Sequence, residues 1–553
     1  PRPRGRCRKP RLPRSLGRGE STPAHGSRRH GGRGPRWPRG QILRCRARGR
    51  RRRCQRRHGC PAKWDQRSRP RPGQRRSRRG HCRRATRRFV VLNRPSQLNL
   101  DSVRVSGGVY APTIRFHEGV FYVINTLIGK GGNFYVTATN PAGPWSDPIW
   151  IKDAPGIDPS FFFDTDNKVY YTGNGRPVDN TPDSKKRHIW LQEFDLKQQK
   201  LVGEKTVILV EGALHDAQSA EAPHIYKKDG FYYLIIAEGG TGENHAVTVF
   251  RSKNIRGPYE SNKKNPILTH RNLGRNYPIA CTGHADIVDT QNGEWWMVLL
   301  GVRPYGGFHY NLGRETFLTP VSWEENWPVV NPGIGKVLFK QEGPNLPIFS
   351  IKQKLAIEEF DADTLGFEWN FLRTPNTKFW SLQENKGSLR IHLLPETITQ
   401  LVSPAFIGRR QQDTSFEASC KMIFTPQLPN ETAGLVLFMN NDYHFRFEKI
   451  NKDGVEQLVV IKRHAGKETI LATAPCDQKS IELGVFAIGQ AYGFKFKQAN
   501  GTWKTIISNV DGRTLSRINA GGFTGTYIGM YASSNGTVSS NYADFEWFRY
   551  MNK

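Results

Sequence analysis

The 553-residue chain carries a formal net charge of +35, but the excess is confined: residues 1–88 hold 34 Lys or Arg against Glu20 and Asp65, and the remaining 465 residues carry only +3. No uninterrupted apolar run reaches the ~18 to 20 residues that span a bilayer, which excludes a transmembrane helix and gives no reason to expect a membrane partner. Of eight cysteines, Cys7, Cys45, Cys54, Cys60 and Cys82 lie in the basic stretch at spacings that match no zinc pattern, and Cys281, Cys420 and Cys476 are too scattered for a disulfide framework.

Residues 1–88 are built from Arg, Pro and Gly with almost no aliphatic or aromatic side chains. Such a composition cannot bury enough apolar surface to offset the entropy of ordering, so disorder is expected. Three readings stay open: a solvated tail, an arm that binds nucleic acid by neutralising phosphates, and a stretch read from a shifted frame in the underlying gene. Two Trp and no other aromatic before Phe89 weigh against the nucleic-acid reading. The stretch also lacks the apolar core of a secretion signal, so compartment stays open.

From Phe89 to about residue 349 the chain reads as strand after strand, punctuated by Gly, Asn, Asp and Pro. Its organising stretch is Ser219 to Gly240, SAEAPHIYKKDGFYYLIIAEGG. Glu221 sits on a small-residue turn, a strand over His224–Lys227 follows, and a Lys228-Asp229-Gly230 turn leads into a second strand over Phe231–Ala237. The same layout begins at Ala111, Asp158 and His284, each with an apolar strand, a polar turn and an aromatic strand. A second element repeats as well, Asn140 to Trp145 (NPAGPW) and Asn254 to Tyr259 (NIRGPY). Repeated β-units that cannot bury their own faces point to a propeller whose blades pack about an axis. The positions Ala111, Asp158, Glu221 and His284 would then face that axis together.

Residues 350–553 stay β in character but change idiom. SLRIHLLP, FEASCKMIF, AGLVLFMNNDYHFRFEKI and YADFEWFRYM alternate apolar and polar residues as strands with one buried face do. About 200 residues suffice for a separate core, so the second half reads as a β-sandwich. The boundaries expected are 1–88, 89–349 and 350–553.

The residues also carry a resemblance. RPSQLNL, SGGVYAPTIRFHEGVFYV, GIDPSFFFD, AEAPHIYKKDGFYYL, GHADIV, WWMVLLGVRPYGG and LGRETFLTPVSW, in that order, resemble glycoside hydrolase family 43 from about Leu92 onward. The branch resembled is the two-domain β-xylosidase and α-L-arabinofuranosidase branch. The resemblance implies an all-β chain, with a five-bladed propeller followed by a concanavalin-like jelly-roll sandwich. It also implies inverting hydrolysis of xylan- or arabinoxylan-derived oligosaccharides, with Glu221 as general acid and Asp158 as the carboxylate that tunes it. His284 and Arg314 match the family's pocket-floor positions. Tyr110 matches an aromatic wall for sugar stacking, and Phe523 a sandwich loop that closes over the pocket. No cofactor is required. A bound calcium and a homo-oligomer are compatible with the resemblance, although no ligand spacing demands the ion.

One departure stands out. The family's general base is an Asp in a short first-blade motif upstream of RPSQLNL, and neither Asp65 nor Asp101 has that motif around it. A propeller whose first blade is missing or replaced is therefore the expectation. Reduced or abolished hydrolysis follows from it, with a non-catalytic carbohydrate-binding protein as the alternative function.

Overall fold

A computed structural model of the chain describes residues 90–176, 186–214, 218–348, 356–375 and 378–553. The expectations for residues 1–88, including the first blade, lie outside the described residues. Everything described falls within one compact unit, Arg84–Lys553.

The first half folds into four antiparallel sheets laid down in chain order. The first is made of Thr113–His117, Val120–Leu127, Gly132–Ala138 and Ile149–Trp150, and the second of Ser160–Phe163, Val169–Gly175, His188–Asp195 and Lys200–Leu209. The third comprises Glu221–Lys228, Phe231–Glu238, Ala246–Ser252 and Glu260–Ser261, with Leu268–Thr269 added to Ala246–Ser252. The fourth comprises Ala280–Asp289, Trp295–Val302, Glu315–Glu324 and Trp327–Val330. Each is a meander of one propeller blade, and apolar clusters fill the spaces between neighbours. Phe161, Tyr171 and Trp190 pack with Tyr135 between the first two sheets. Leu234 and Ile236 pack with Phe162 and Ile189 between the second and third.

The hairpins read from the sequence are present, with a tight turn between Lys228 and Phe231 that places Asp229 and Gly230 at positive φ. The strand expected to start at His224 begins instead at Glu221, because the pairing with Phe231–Glu238 continues past an irregularity between Ile235 and Ala237. The two Asn-to-aromatic repeats close alike. The Gly143 amide donates to Asn140 O at 2.8 Å and the Gly257 amide to Asn254 O at 2.9 Å.

The four leading strands lie side by side at the axis. Thr113 Oγ1 donates to Pro159 O (3.2 Å) and Ser160 Oγ to Pro223 O (2.6 Å), joining consecutive blades. Arg115 of the first described sheet reaches Asp286 of the fourth at 2.7 Å.

The second half is a sandwich. One sheet runs in the order Trp380–Ser381, Leu389–His392, Tyr542–Asn552, Ser415–Ile423, Ser480–Ile488, Ala491–Lys497, Trp503–Asp511, with Ile357–Glu358 paired to Tyr542–Asn552. The other runs Asn370–Phe371, Phe406–Arg410, Tyr527–Ser533, Thr432–Asn440, Tyr443–Lys452, Val455–His464, Lys467–Pro475. Alternation decides the faces. Phe416, Met422, Leu435, Leu437, Phe445, Phe447, Phe494 and Phe545 point inward and form one core. The three described cysteines are buried and unbonded.

The two halves meet across a polar seam. Asn311 Nδ2 donates to Gly512 O (2.8 Å) and to Tyr492 Oη (3.2 Å), and Asn311 O accepts from the Thr526 amide (2.8 Å). Arg410 donates to Leu312 O and Arg314 O, and Arg373 Nε donates to Val103 O (2.8 Å).

Candidate active site

Asp158 and Glu221 are placed by the same device. Two residues beyond Asp158 lies Ser160, and two beyond Glu221 lies Pro223. The 2.6 Å hydrogen bond between Ser160 Oγ and Pro223 O thus ties the approaches of the two carboxylates together. Ala222 adopts φ 53° and Asp158 φ 54°, so the backbone turns sharply at both places. Irregularities of this kind at a strand end re-aim a side chain. Behind Glu221 the loop is pinned, since the Gly239 amide donates to Gln218 O at 2.7 Å. The buried Glu238 carboxylate accepts from the amides of Ala213 (2.8 Å) and Leu214 (3.0 Å).

Asp158 is buried and Glu221 half-buried. Burial raises both carboxyls well above the ordinary range, because a low-dielectric site disfavours the charged form. Glu221 is raised further by the charge of Asp158, whereas the Arg314 guanidinium draws Asp158 back down. The one remaining proton of the pair therefore belongs on Glu221. For Glu221 desolvation is the larger cause and the tuning charge of Asp158 the second. The other charges acting on Glu221 are Arg187 and Arg314, and no second carboxylate besides Asp158 joins them among the described residues.

Arg314 follows the close seam at Leu312–Gly313 and donates from Nε to Phe523 O at 3.3 Å. Its guanidinium stands 5.0 Å over the Phe523 ring. Tyr110 meets that ring edge-on, with centroids 5.9 Å apart. Tyr110 feels the charges of Asp158, Arg314 and Glu221. Five of the six residues singled out from the sequence, namely Tyr110, Asp158, Glu221, Arg314 and Phe523, therefore form one constellation. Beside the carboxylates, and lined by neither of them, lies a cavity of about 390 Å³ bounded by Tyr110, Ala111, Arg314 and Phe523 together with sandwich residues that include Phe371 and Phe438.

The sixth, His284, stands within the influence of Arg314 but does not begin its strand. It lies inside Ala280–Asp289, at φ 49° and within the irregularity between Gly283 and Asp286 in the pairing with Trp295–Val302. Ala111 and Asp158 each precede their strands by two residues. The equivalence expected for the four strand starts is therefore loose, because each blade turns into its inner strand differently. Burial lowers His284 to about 4 and His245 to about 3, with Arg314 adding to both, so both rings are neutral at pH 7.

Below this tier lies a group that sequence reading missed. Arg115 clamps Asp286 with 2.7 and 3.2 Å hydrogen bonds and lies 3.1 Å from His224 Nδ1, while Tyr226 Oη donates to Asp286. The Asp286 carboxyl is held at about 2, its burial outweighed by His224, Arg115 and Tyr226. Arg115 and Asp286 stand inside two of the motifs quoted above, and their alternation with apolar neighbours was the available signal. Among the described residues no three His, Cys, Asp or Glu gather as a metal-ion cage, and no helix is long and apolar enough to cross a membrane.

Comparisons with known proteins bear on the family and the fold. Residues 86–328 match the glycosyl hydrolases family 43, and residues 357–551 match the β-xylosidase C-terminal concanavalin A-like domain. A xylosidase/arabinosidase of Butyrivibrio fibrisolvens is 43% identical over 464 residues, covering 83% of this chain and 89% of that protein. A non-reducing end α-L-arabinofuranosidase of Bacteroides ovatus is 39% identical over 467 residues, covering 83% and 84%. Among solved structures, the xylan β-1,4-xylosidase of Bacillus halodurans C-125 superposes with a TM-score of 0.77 at 33% identity, covering 84% of this chain and 91% of that one.

Proposed function

We propose, because the chain belongs to the glycosyl hydrolases of family 43, that this glycosidase releases terminal pentose from xylan-derived oligosaccharides, β-xylosides first. Glu221 acts as general acid. It gives its proton to the glycosidic oxygen as the bond to the anomeric carbon breaks, and water forms the new bond from the opposite face, losing its proton to a base. Arg314 draws the Asp158 carboxyl back toward its charged form, and that charge favours the proton on Glu221 until the leaving oxygen takes it. Arg314 offers donors to sugar hydroxyls, neutral His284 lies within the reach of its charge, and Tyr110 and Phe523 provide apolar faces for the sugar ring. This chemistry requires no cofactor. The observation that carries the reading is the tie between Ser160 and Pro223, which joins the approaches of two carboxyls, Glu221 raised by desolvation and by Asp158, and Asp158 raised by desolvation and drawn back by Arg314.

The alternative, a carbohydrate-binding protein without turnover, draws support from one fact: no residue among those described is assignable as the water-activating base. Glu221→Gln separates the readings. Hydrolysis of xylobiose should fall by roughly 100- to 10,000-fold. Hydrolysis of 4-nitrophenyl β-xyloside, whose leaving group needs no proton, should fall far less. An equal loss on both substrates would sink the assignment of Glu221. Tight xylobiose binding without turnover by the unsubstituted chain would favour the binding protein, and arabinofuranosides turned over faster than xylosides would reverse the sugar preference.

A further inference from the structure

Phe523 comes from the sandwich, and the way it is held draws in a residue with no assigned role. Arg517 opens the short helix Arg517–Ala520, and Ser516 before it accepts from the Tyr310 amide of the propeller at 3.2 Å. The guanidinium of Arg517 then binds three separate segments. Nε donates to Gly522 O at 2.7 Å, within its own loop. Nη1 donates to Tyr310 Oη at 2.9 Å. Nη1 and Nη2 also reach Thr241 O (3.3 Å) and Thr241 Oγ1 (3.1 Å). Thr241 follows Phe231–Glu238, the strand paired with that of Glu221. The fork geometry of a guanidinium makes such a three-way junction possible, and a lysine ammonium cannot reproduce it.

The loop so anchored lies against the propeller backbone. The Phe523 amide donates to Ser106 Oγ at 2.8 Å. A Cβ on Gly522 would fall 2.6 Å from Ser106 Oγ, and one on Gly525 only 2.2 Å from Leu312 O. The ring between these two glycines is flanked by Arg517 at 5.5 Å and Arg314 at 5.0 Å. Arg517 contacts neither carboxylate in any hydrogen bond of the site; it reaches the pocket through the loop that carries Phe523 and through its charge on Arg314.

We propose that Arg517 is a positioning residue that locks the sandwich loop Gly521–Thr524 onto the propeller, so that Phe523 forms a fixed wall of the sugar pocket. The wall's purpose rests on the glycosidase reading above; the lock does not. It makes the sandwich part of the binding site, and it couples the loop beyond Glu221's partner strand to the wall through Thr241.

The test uses the full chain carrying Arg517→Lys, Phe523→Ala and both together, with Thr241→Val as a milder second variant should Arg517→Lys unfold. Amide hydrogen exchange at residues 521–524 reads the lock without any sugar, and calorimetric titration with xylobiose reads the wall. Exchange should quicken by on the order of tenfold or more in Arg517→Lys, as for a loop released to local opening. Xylobiose affinity should fall about as far as in Phe523→Ala, and the double variant should bind no more weakly than Phe523→Ala alone, as expected of two residues acting through one element. Unchanged exchange would overturn the lock. Losses that multiply in the double variant would overturn the coupling to Phe523. A wild-type chain that binds no xylobiose would defeat the sugar reading, while the exchange result would still decide the lock.

Discussion

Glu221 is the residue at which stability and function pull against each other. Its carboxyl is raised by burial and by Asp158, so the folded state holds a proton that the unfolded chain releases at about pH 4.3. For a raised acid the sign is fixed: stability is fully present below the unfolded pKa and is lost as pH climbs from there through the folded value. Every tenfold gain in proton affinity on folding corresponds to about 1.4 kcal/mol of that loss. Glu221→Gln, which cannot ionise, should therefore match the wild type near pH 4 and exceed its melting temperature at pH 8. Equal melting curves at pH 8 would mean that the site is wetter than its geometry indicates. Glu221 was legible in the sequence as an acid before a hairpin, and Asp158 as its counterpart one blade earlier. The order of causes was not legible, because desolvation depends on chain segments more than 200 residues apart, the propeller strands and the sandwich loop around Phe523. Arg115 and Asp286 went unnoticed for a related reason. Each reads as an ordinary strand charge until the ring brings them 2.7 Å apart.

At the scale of elements, hairpins were the most readable feature, since period-two alternation and Asp-Gly or Asn-Gly turns are local signals. What joins one hairpin to the next is a few side-chain to backbone bonds with no sequence signature. Ser160 is the clearest case. It stands in an apolar run, SFFF, where a serine looks incidental, yet its hydroxyl spans to the next blade at Pro223 O. Both partners are buried, so Ser160→Ala leaves a carbonyl without a partner and should cost about 1 to 3 kcal/mol in urea denaturation. Because this bond ties the approaches of the two carboxylates, the same substitution should also lower the pKa of Glu221, as read from the alkaline limb of the pH profile for xyloside hydrolysis or binding. A stability loss with an unmoved limb would show that Ser160 holds the blades together without setting the distance between the carboxylates.

For the molecule as a whole, the change of idiom near residue 350 pointed to a second β fold, and the sandwich emerged as a single core from strands with one buried face. Nothing in the sequence marked the seam between the halves. It is built from Asn311, Arg373, Arg410 and Arg517, polar residues scattered over some 200 positions, each bonded to backbone atoms of the other half. A seam of this kind differs from a flexible tether. Each bond in it joins a side chain of one half to the backbone of the other in a low-dielectric interface, so each folded half fixes the other. Asn311 is fully buried and holds Gly512, Tyr492 and the Thr526 amide at once. We expect the wild type to melt in one calorimetric transition. Asn311→Ala should split it into two, with the sandwich and propeller unfolding separately, and should weaken xylobiose binding because Phe523 no longer stands against Tyr110 and Arg314. A single transition in the variant with unaltered sugar affinity would show that the Asn311 side chain does not couple the halves, and that the rest of the seam suffices to hold Phe523 in the pocket.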